Sequence, residues 1–395
     1  MKILITLLVT LSVIGCAATP VSAPKTSVKQ RFETAISRTI LKEVRDTLPS
    51  LEGAARVSFL KEKSHQLESH VNQNLITKNS RLEQQLLEYM ASAEDSRYYS
   101  RNYLVTLQSM TSLDWSLSTY EQKLTEELNR IDQTIILLAN PSLDPGFNLP
   151  DHMEKIGATG AYPNDSFEGR QDYLDSLSQT MIEMQIDWYG VLSVYEPSQL
   201  GIIGEEGGDR TFDYDASGLS INLDRVSDLP FFELKSIAAF YGYPGLQAMT
   251  ARNPDSLRSH IDLPAYNLGW AGYILDLIGV RDTQATLNYL YFSRLIAGLA
   301  QADLKINTGA WTRDQALLQI GQSTPYSRHR ISLMLNQVTK KPGYYLAALA
   351  GKLVIVELHN RCLLKARNCE EEFNQVIVDF GPVPFDLLQS RLGLD

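Results

Sequence analysis

Six histidines, three cysteines and a few acidic runs carry the reactive side chains of this 395-residue sequence. The histidines are His65, His70, His152, His260, His329 and His359. None pairs at i, i+4 with an intervening Glu, the spacing that a helical zinc site uses. His65 and His70 are five apart on a charged stretch and read as a solvated face. Glu205-Glu206 and Glu370-Glu371-Glu372 read as surface too, because paired catalytic carboxylates need burial to separate their pKa values. Asp213, Asp215, Ser217 and Gly218 mimic the start of a calcium loop, with Asp224 at its twelfth position. True calcium hands have Glu there and helices on both sides. Here "TFDYDASGLSINLDRV" alternates around a turn, so a β-hairpin is expected instead. The sequence has no G-x-S-x-G elbow, no Walker loop and no dinucleotide fingerprint.

Cys16 is placed for a different chemistry. Lys2 precedes the apolar run "ILITLLVTLSVI", which is too short to span a bilayer but suits a secretory signal. The run ends in Val13-Ile14-Gly15-Cys16, which resembles the lipobox of bacterial lipoproteins. That resemblance implies cleavage after residue 15 and acylation of the Cys16 thiol and new N-terminus. Two or more acyl chains hold a protein stably on a membrane. Ala17 follows, not Asp, which by resemblance to sorting in Gram-negative bacteria favours the outer membrane, facing the periplasm. Residues 16–29 then read as a flexible tether. An envelope location is oxidising enough for Cys362 and Cys369 to form a disulfide. In one unbroken helix their Cα atoms would stand roughly 10 Å apart, too far for the bond. The pairing therefore requires the helix of "LVIVELHNRCLLKA" to end near Arg367-Asn368.

The elements that position these residues are mostly helical. From residue 30 to about 145, Phe32, Ile36, Ile40 and Val44 set the pattern, four apart on one helix face. No heptad holds for four turns, so these helices are expected to pack on the rest of the chain rather than form coiled-coil arms. A second region is expected over residues 146–395. In it "GEEGGDR" reads as a polar loop before the hairpin, and helices run from Phe231 to the end. Within them "LKSIAAFYGYPGLQAM" reads as an apolar helix broken by Tyr243-Pro244-Gly245. The formal net charge of -10 argues against nucleic acid as a partner.

From Thr211 to Asp395 the chain resembles the bacterial family called domain of unknown function 885, whose fold resembles zinc peptidases of the neurolysin and thimet oligopeptidase type. The family's H-E-G-x-P-G-H reads Phe240-Tyr241-Gly242-Tyr243-Pro244-Gly245-Leu246 here. Its E-G-W-A-x-Y reads Leu268-Gly269-Trp270-Ala271-Gly272-Tyr273. "NTGAWT", "PGYYLAALAG" and Phe373-Asn374 followed by "GPVPFDLL" match three later motifs in order. The structural residue types are kept, among them Gly242, Pro244, Gly245, Gly269, Trp270, Tyr273, Pro342, Gly343 and Gly351. The reactive types are replaced. Phe240 and Leu246 stand for the two His of the first motif, Tyr241 for its Glu base and Leu268 for the third zinc ligand. Leu349 stands for a Lys and Asn374 for a further His, while the His of the third motif falls in a deletion. Phe and Leu offer zinc no donor atom.

The resemblance implies a mainly α, zincin-like helical domain with a small hairpin or sheet beside the former active-site helix. Phe240, Tyr241, Leu246 and Leu268 are its vestigial site, expected to converge without metal or cofactor. The implied function is a non-catalytic, lipid-anchored envelope protein that binds peptides or an envelope-protein partner, or acts as a scaffold. An extended peptide adding to the hairpin edge would need no zinc. The alternative is a hydrolase with a rearranged site, using Tyr241, Tyr243 and the hairpin Asp residues.

Overall fold

The computed structural model describes residues 28–71, 78–99, 102–142, 144–189, 200–215, 217–250, 261–281, 285–365 and 369–394. Five helices come first: α1 (Val28–Thr47), α2 (Gly53–Val71), α3 (Lys78–Tyr99), α4 (Tyr103–Thr111) and α5 (Leu117–Ala139). Next, α6 (Leu149–Thr159) and α7 (Phe167–Tyr189) lead into the strands β1 (Ile202–Glu205), β2 (Phe212–Asp215) and β3 (Gly218–Asn222). Beyond the sheet lie α8 (Leu234–Tyr241), α9 (Leu246–Thr250), α10 (Pro264–Arg281), α11 (Thr286–Asn307) and α12 (Arg313–Ser323). The last four are α13 (Arg328–Lys340), α14 (Tyr344–Lys365), α15 (Cys369–Phe380) and α16 (Phe385–Arg391). The protein is thus mainly helical with one small sheet. No helix among the described residues is long and apolar enough to cross a membrane.

Local sequence explains where the helices begin and which faces they bury. Ser116 caps α5 by accepting from the Thr119 amide, and Tyr120, Leu124, Leu128, Ile131 and Ile135 form its buried stripe. A capping box of Thr312 and Gln315 starts α12. The central α11 is buried nearly all round and packs against α5, α10, α12, α13 and α14. The N-terminal helices α4 and α5 lie against α14, not apart from it.

The tightest crossing is between α10 and α14. A Cβ on Gly351 would lie 1.7 Å from the Ala265 carbonyl oxygen, and one on Gly269 would lie 2.6 Å from the Gly351 carbonyl carbon. Only glycines admit two backbones at that separation.

The sheet has β3 in the centre, β2 antiparallel on one side and β1 parallel on the other. The hairpin follows the alternation in the sequence, whereas β1 was not expected and takes in Gly204 and Glu205, the first two residues of the "GEEGGDR" loop. Gly218 explains the extra strand. It has φ 134° and a Cβ there would lie 2.2 Å from the Gly201 oxygen, so its lack of a side chain lets β1 approach. The Leu219 amide then donates to that oxygen at 2.9 Å.

Candidate functional site

The chain ends α8 at Tyr241 and bends through a cis Tyr243-Pro244 bond into α9. A Cβ on Gly245 would lie 2.2 Å from the carbonyl oxygens of both Ala239 and Phe240, so the turn passes directly beneath the end of α8. The buried indole of Trp270, on α10, donates to the Pro244 oxygen at 2.9 Å and ties the bend to that helix. The kept residues of two separate motifs therefore make one structural joint.

Phe240 and Leu268 line a void of about 20 Å³, together with Ser293, Leu349 and Lys352. That is room for about one water. Three positions where the resembled motifs carry reactive groups, Phe240, Leu268 and Leu349, thus share one space. Tyr241 points elsewhere. Its ring packs against Phe212 at 5.6 Å and Tyr214 at 6.3 Å, on the sheet side. Burial raises its phenol well above the ordinary tyrosine value, which makes it a poor base. Leu246 is buried at the start of α9 and is not one of the void's walls. The structure therefore gathers Phe240 and Leu268 and leaves Tyr241 and Leu246 outside the void. Asn374, in the place of the last motif's His, accepts from the Tyr273 hydroxyl at 3.1 Å.

These residues do not fit zinc. The polar side chains at the void are Ser293 and Lys352, and an ammonium repels a cation. Among the described residues no group of three or more His, Cys, Asp or Glu comes together to hold a metal. The hairpin acids are engaged locally. Asp215 accepts from the Ser217 amide at 2.7 Å, Asp213 pairs with Arg210, and Asp224 accepts from the Gly207 amide at 2.9 Å.

Sequence reasoning missed three buried polar centres. Lys352 reaches Glu127 Oε1 at 2.7 Å and Asp276 Oδ2 at 2.9 Å, and Arg130 bridges the same two carboxylates. Burial alone would raise the Glu127 pKa, but Lys352 and Arg130 hold it down at about 2. Asp303 of α11 accepts from the amides of Gly343, Tyr345 and Leu346, capping α14, and from the Tyr103 hydroxyl of α4. Burial pushes its carboxyl up to about 6 against the pull of those donors. Glu233 pairs with Arg330, both almost wholly buried. Glu127–Arg130 is a local i, i+3 pair, but the links that enclose each centre, Lys352 to Glu127, Asp303 to Gly343 and Tyr103, and Arg330 to Glu233, join residues far apart in sequence.

The sulfur atoms of Cys362 and Cys369 are bonded, with their Cα atoms 5.7 Å apart. The helix break that this needs is present, since α14 stops at Lys365 and α15 starts at Cys369. Cys16 lies outside the described residues.

Comparisons place the chain among known proteins. It is similar in structure to a "putative lipoprotein" of Colwellia psychrerythraea, with a TM-score of 0.64 and 19% identity over 93% of this chain and 67% of that one. A second match, described in the same words and as of unknown function, comes from Shewanella oneidensis, with a TM-score of 0.58 and 14% identity over 93% of this chain and 71% of that one. At these identities the likeness is one of fold. No curated protein matches the sequence. The family described as bacterial protein of unknown function (DUF885) matches residues 16–392, nearly the whole chain and well beyond the stretch from Thr211 that carries the motifs. The chain belongs to the DUF885 family.

Proposed function

We propose that this protein is a non-catalytic lipoprotein of the bacterial cell envelope, a degenerate member of a zinc-peptidase-like fold that keeps the ability to bind extended peptides. The observation that carries the reading is the void between Phe240, Leu268 and Leu349. Hydrocarbon stands there in place of donor atoms, and filling a metal cavity with buried Phe or Leu stabilises a fold by roughly 1.5–3 kcal/mol per side chain. An unpaired imidazole or carboxylate in the same place would cost free energy. Peptide binding is supported by the sheet, whose antiparallel strand β2 is an edge among the described residues. Main-chain hydrogen bonds to such an edge require no metal.

The lipobox at Cys16 supports the envelope location, with the anchor in the outer membrane and the folded part in the periplasm. Mass spectrometry of the native protein should give a mature N-terminus at Cys16 with acyl mass. An unacylated chain starting several residues later would remove the anchor. The functional test screens the mature chain against peptidase and esterase substrates with and without zinc, and in parallel against an immobilised library of extended peptides. Binding without turnover is expected. Zinc-dependent cleavage would establish the hydrolase alternative instead.

A further inference from the structure

The first turn of α13 carries charge of the wrong sign. A helix N-terminus favours anions, yet α13 begins Arg328-His329-Arg330 and has no acid in its first turn. Arg330 is accounted for, because it is buried and paired with Glu233. Arg328 is exposed, and its side chain has no hydrogen bond or ion pair among the described residues. It adds a full positive charge to a helix end that is already positive. An anion seated there would answer both.

Arg328 lines a cleft of about 840 Å³ between α6, the end of α12 and the turn into α13. The size falls within the range of ligand sites, about 300–1,000 Å³. No residue of the Phe240 void lines it. Asp151 and Glu154 of α6 line the same cleft, three apart and so on one helix face. Asp151 lies in the first turn of α6, where an acid complements the helix end. Glu154 has no such local reason. Neither side chain has a hydrogen bond or ion pair among the described residues, so the two acids and Arg328 share one cleft without meeting. Leu317 and Leu318 of α12 give the cleft an apolar part. Its walls are held from behind. His152 Nε2 shares a hydrogen bond with the Tyr291 hydroxyl at 2.8 Å, which ties α6 to α11. A Cβ on Gly157 would lie 2.8 Å from the Pro325 carbonyl oxygen, so α6 rests directly on the turn into α13. Ser327 caps α13 by accepting from the Arg330 amide at 3.1 Å, and Glu233 pins Arg330 itself. The separated charges are therefore set on fixed elements.

We propose that this cleft binds a zwitterion, a free amino acid or a short peptide with both ends uncapped, with its carboxylate at Arg328 and the start of α13 and its ammonium at Glu154 and Asp151. Charge decides the class. A simple anion would be drawn to Arg328 and repelled by the two acids, and a simple cation the reverse. A ligand with one charge of each sign, set apart along its length, meets both ends of the cleft favourably. The guanidinium fork suits a carboxylate by two parallel hydrogen bonds. Leu317 and Leu318 then face the apolar part of the ligand between its charges. The site is independent of strand addition, since no residue of β2 lines the cleft.

The test is calorimetric titration of the whole mature chain with leucine, with the tripeptide Ala-Leu-Ala, and with the N-acetyl and C-amide forms of each. Saturable binding of an uncapped ligand is expected, and either cap should weaken it about tenfold or more. Tighter binding of leucine would name the free amino acid as the source, and tighter binding of Ala-Leu-Ala the peptide. Arg328→Gln should weaken the uncapped ligand about tenfold to a hundredfold, the worth of a hydrogen bond to a charged group, and leave the C-amide form as the wild type binds it. Glu154→Gln should weaken the uncapped ligand likewise and spare the N-acetyl form. Both side chains are exposed, so neither change should move the thermal midpoint, and each variant serves if the other fails to fold. No saturable binding, equal binding of capped and uncapped forms, or variants that bind as the wild type does would overturn the proposal. Extended peptides that bind regardless of caps and of both variants overturn it and leave the β2 reading standing. Cap-sensitive binding that Arg328→Gln weakens, in a chain that captures no extended peptide, supports the cleft and overturns the β2 reading.

Discussion

The Lys352 ammonium lies 2.7 Å from Glu127 Oε1, joining α14 to α5 inside the core across 225 residues of sequence. Replacing Lys352 by Met leaves Glu127 and Asp276 to share Arg130, and should cost about 3–5 kcal/mol, as breaking a buried pair from one side does. The double variant Lys352→Met/Glu127→Leu should recover part of that loss. Urea denaturation midpoints decide between these outcomes.

The same carboxylate sets an acid dependence. The folded-state pKa of Glu127 is depressed to about 2 from an ordinary 4.5. Its contribution is therefore complete above pH 4.5 and is lost as the pH falls from there towards 2. Glu127→Gln should be less stable than the wild type at neutral pH, with the gap closing across that window. Asp303 titrates in both proteins and cancels in the difference. A gap that does not change with pH would contradict the assignment.

Gly351→Ala should force α10 and α14 apart, since the new methyl meets the Ala265 carbonyl at 1.7 Å. The cost is expected at or above the upper end of about 1–3 kcal/mol for overpacking. Gly272→Ala is the control. Its nearest contacts are carbons of the Lys352 side chain at 3.3–3.5 Å, and a helical Gly-to-Ala change recovers up to about 1 kcal/mol. Thermal melts of the two variants should separate clearly.

Around the void, Phe240→Ala should cost about 3–5 kcal/mol by enlarging a space that already exists. Phe240→His should not create a zinc site, because a stable one needs at least three ligands. Elemental analysis after dialysis against zinc should give well under one ion per chain for both the wild type and Phe240→His. Stoichiometric, tight zinc in the wild type would refute the replaced-site reading.

Thiol counting under denaturing, non-reducing conditions should find neither Cys362 nor Cys369 free. Reduction should lower stability by about 2 kcal/mol, the low end for a disulfide, because the closed loop is short. Two free thiols in the mature chain would refute the bond.

Much of this architecture was legible because it is written locally. The stripe of α5, the hairpin alternation, the Pro-Gly bend and the gap between Cys362 and Cys369 each sit within a few residues of the signal that specifies them. Strand β1 was not legible, since "GIIGEEGG" carries too little alternation and its pairing depends on what Gly218 lacks. The resemblance placed Phe240, Leu268 and Leu349 in one lost site, and they do share one void. It could not show that Tyr241 faces the sheet, because helix phase at a distorted terminus is set by packing. Asp303, Lys352 and Arg330 look like ordinary charged residues in sequence. Only tertiary closure shows that each is enclosed, since the Gly343 amide lies 40 residues from Asp303, the Glu233 carboxylate 97 from Arg330 and the Glu127 carboxylate 225 from Lys352.

The long-range charge links also bear on how the chain must come together. Glu127 and Arg130 find their partners at Asp276 and Lys352, and Tyr103 finds its own at Asp303. A polypeptide appearing N-terminus first presents these groups long before their counterparts exist. Until α14 arrives, Glu127 has Arg130 of its own helix as partner but not Lys352, and the pair stays in water on the face that will become interior. Such wiring makes early collapse of the first helices unprofitable and favours late, concerted closure around α11 and α14, slow as non-local folds are. A fragment cut near residue 145 would then not be a smaller version of the protein, but half of a lock without its key.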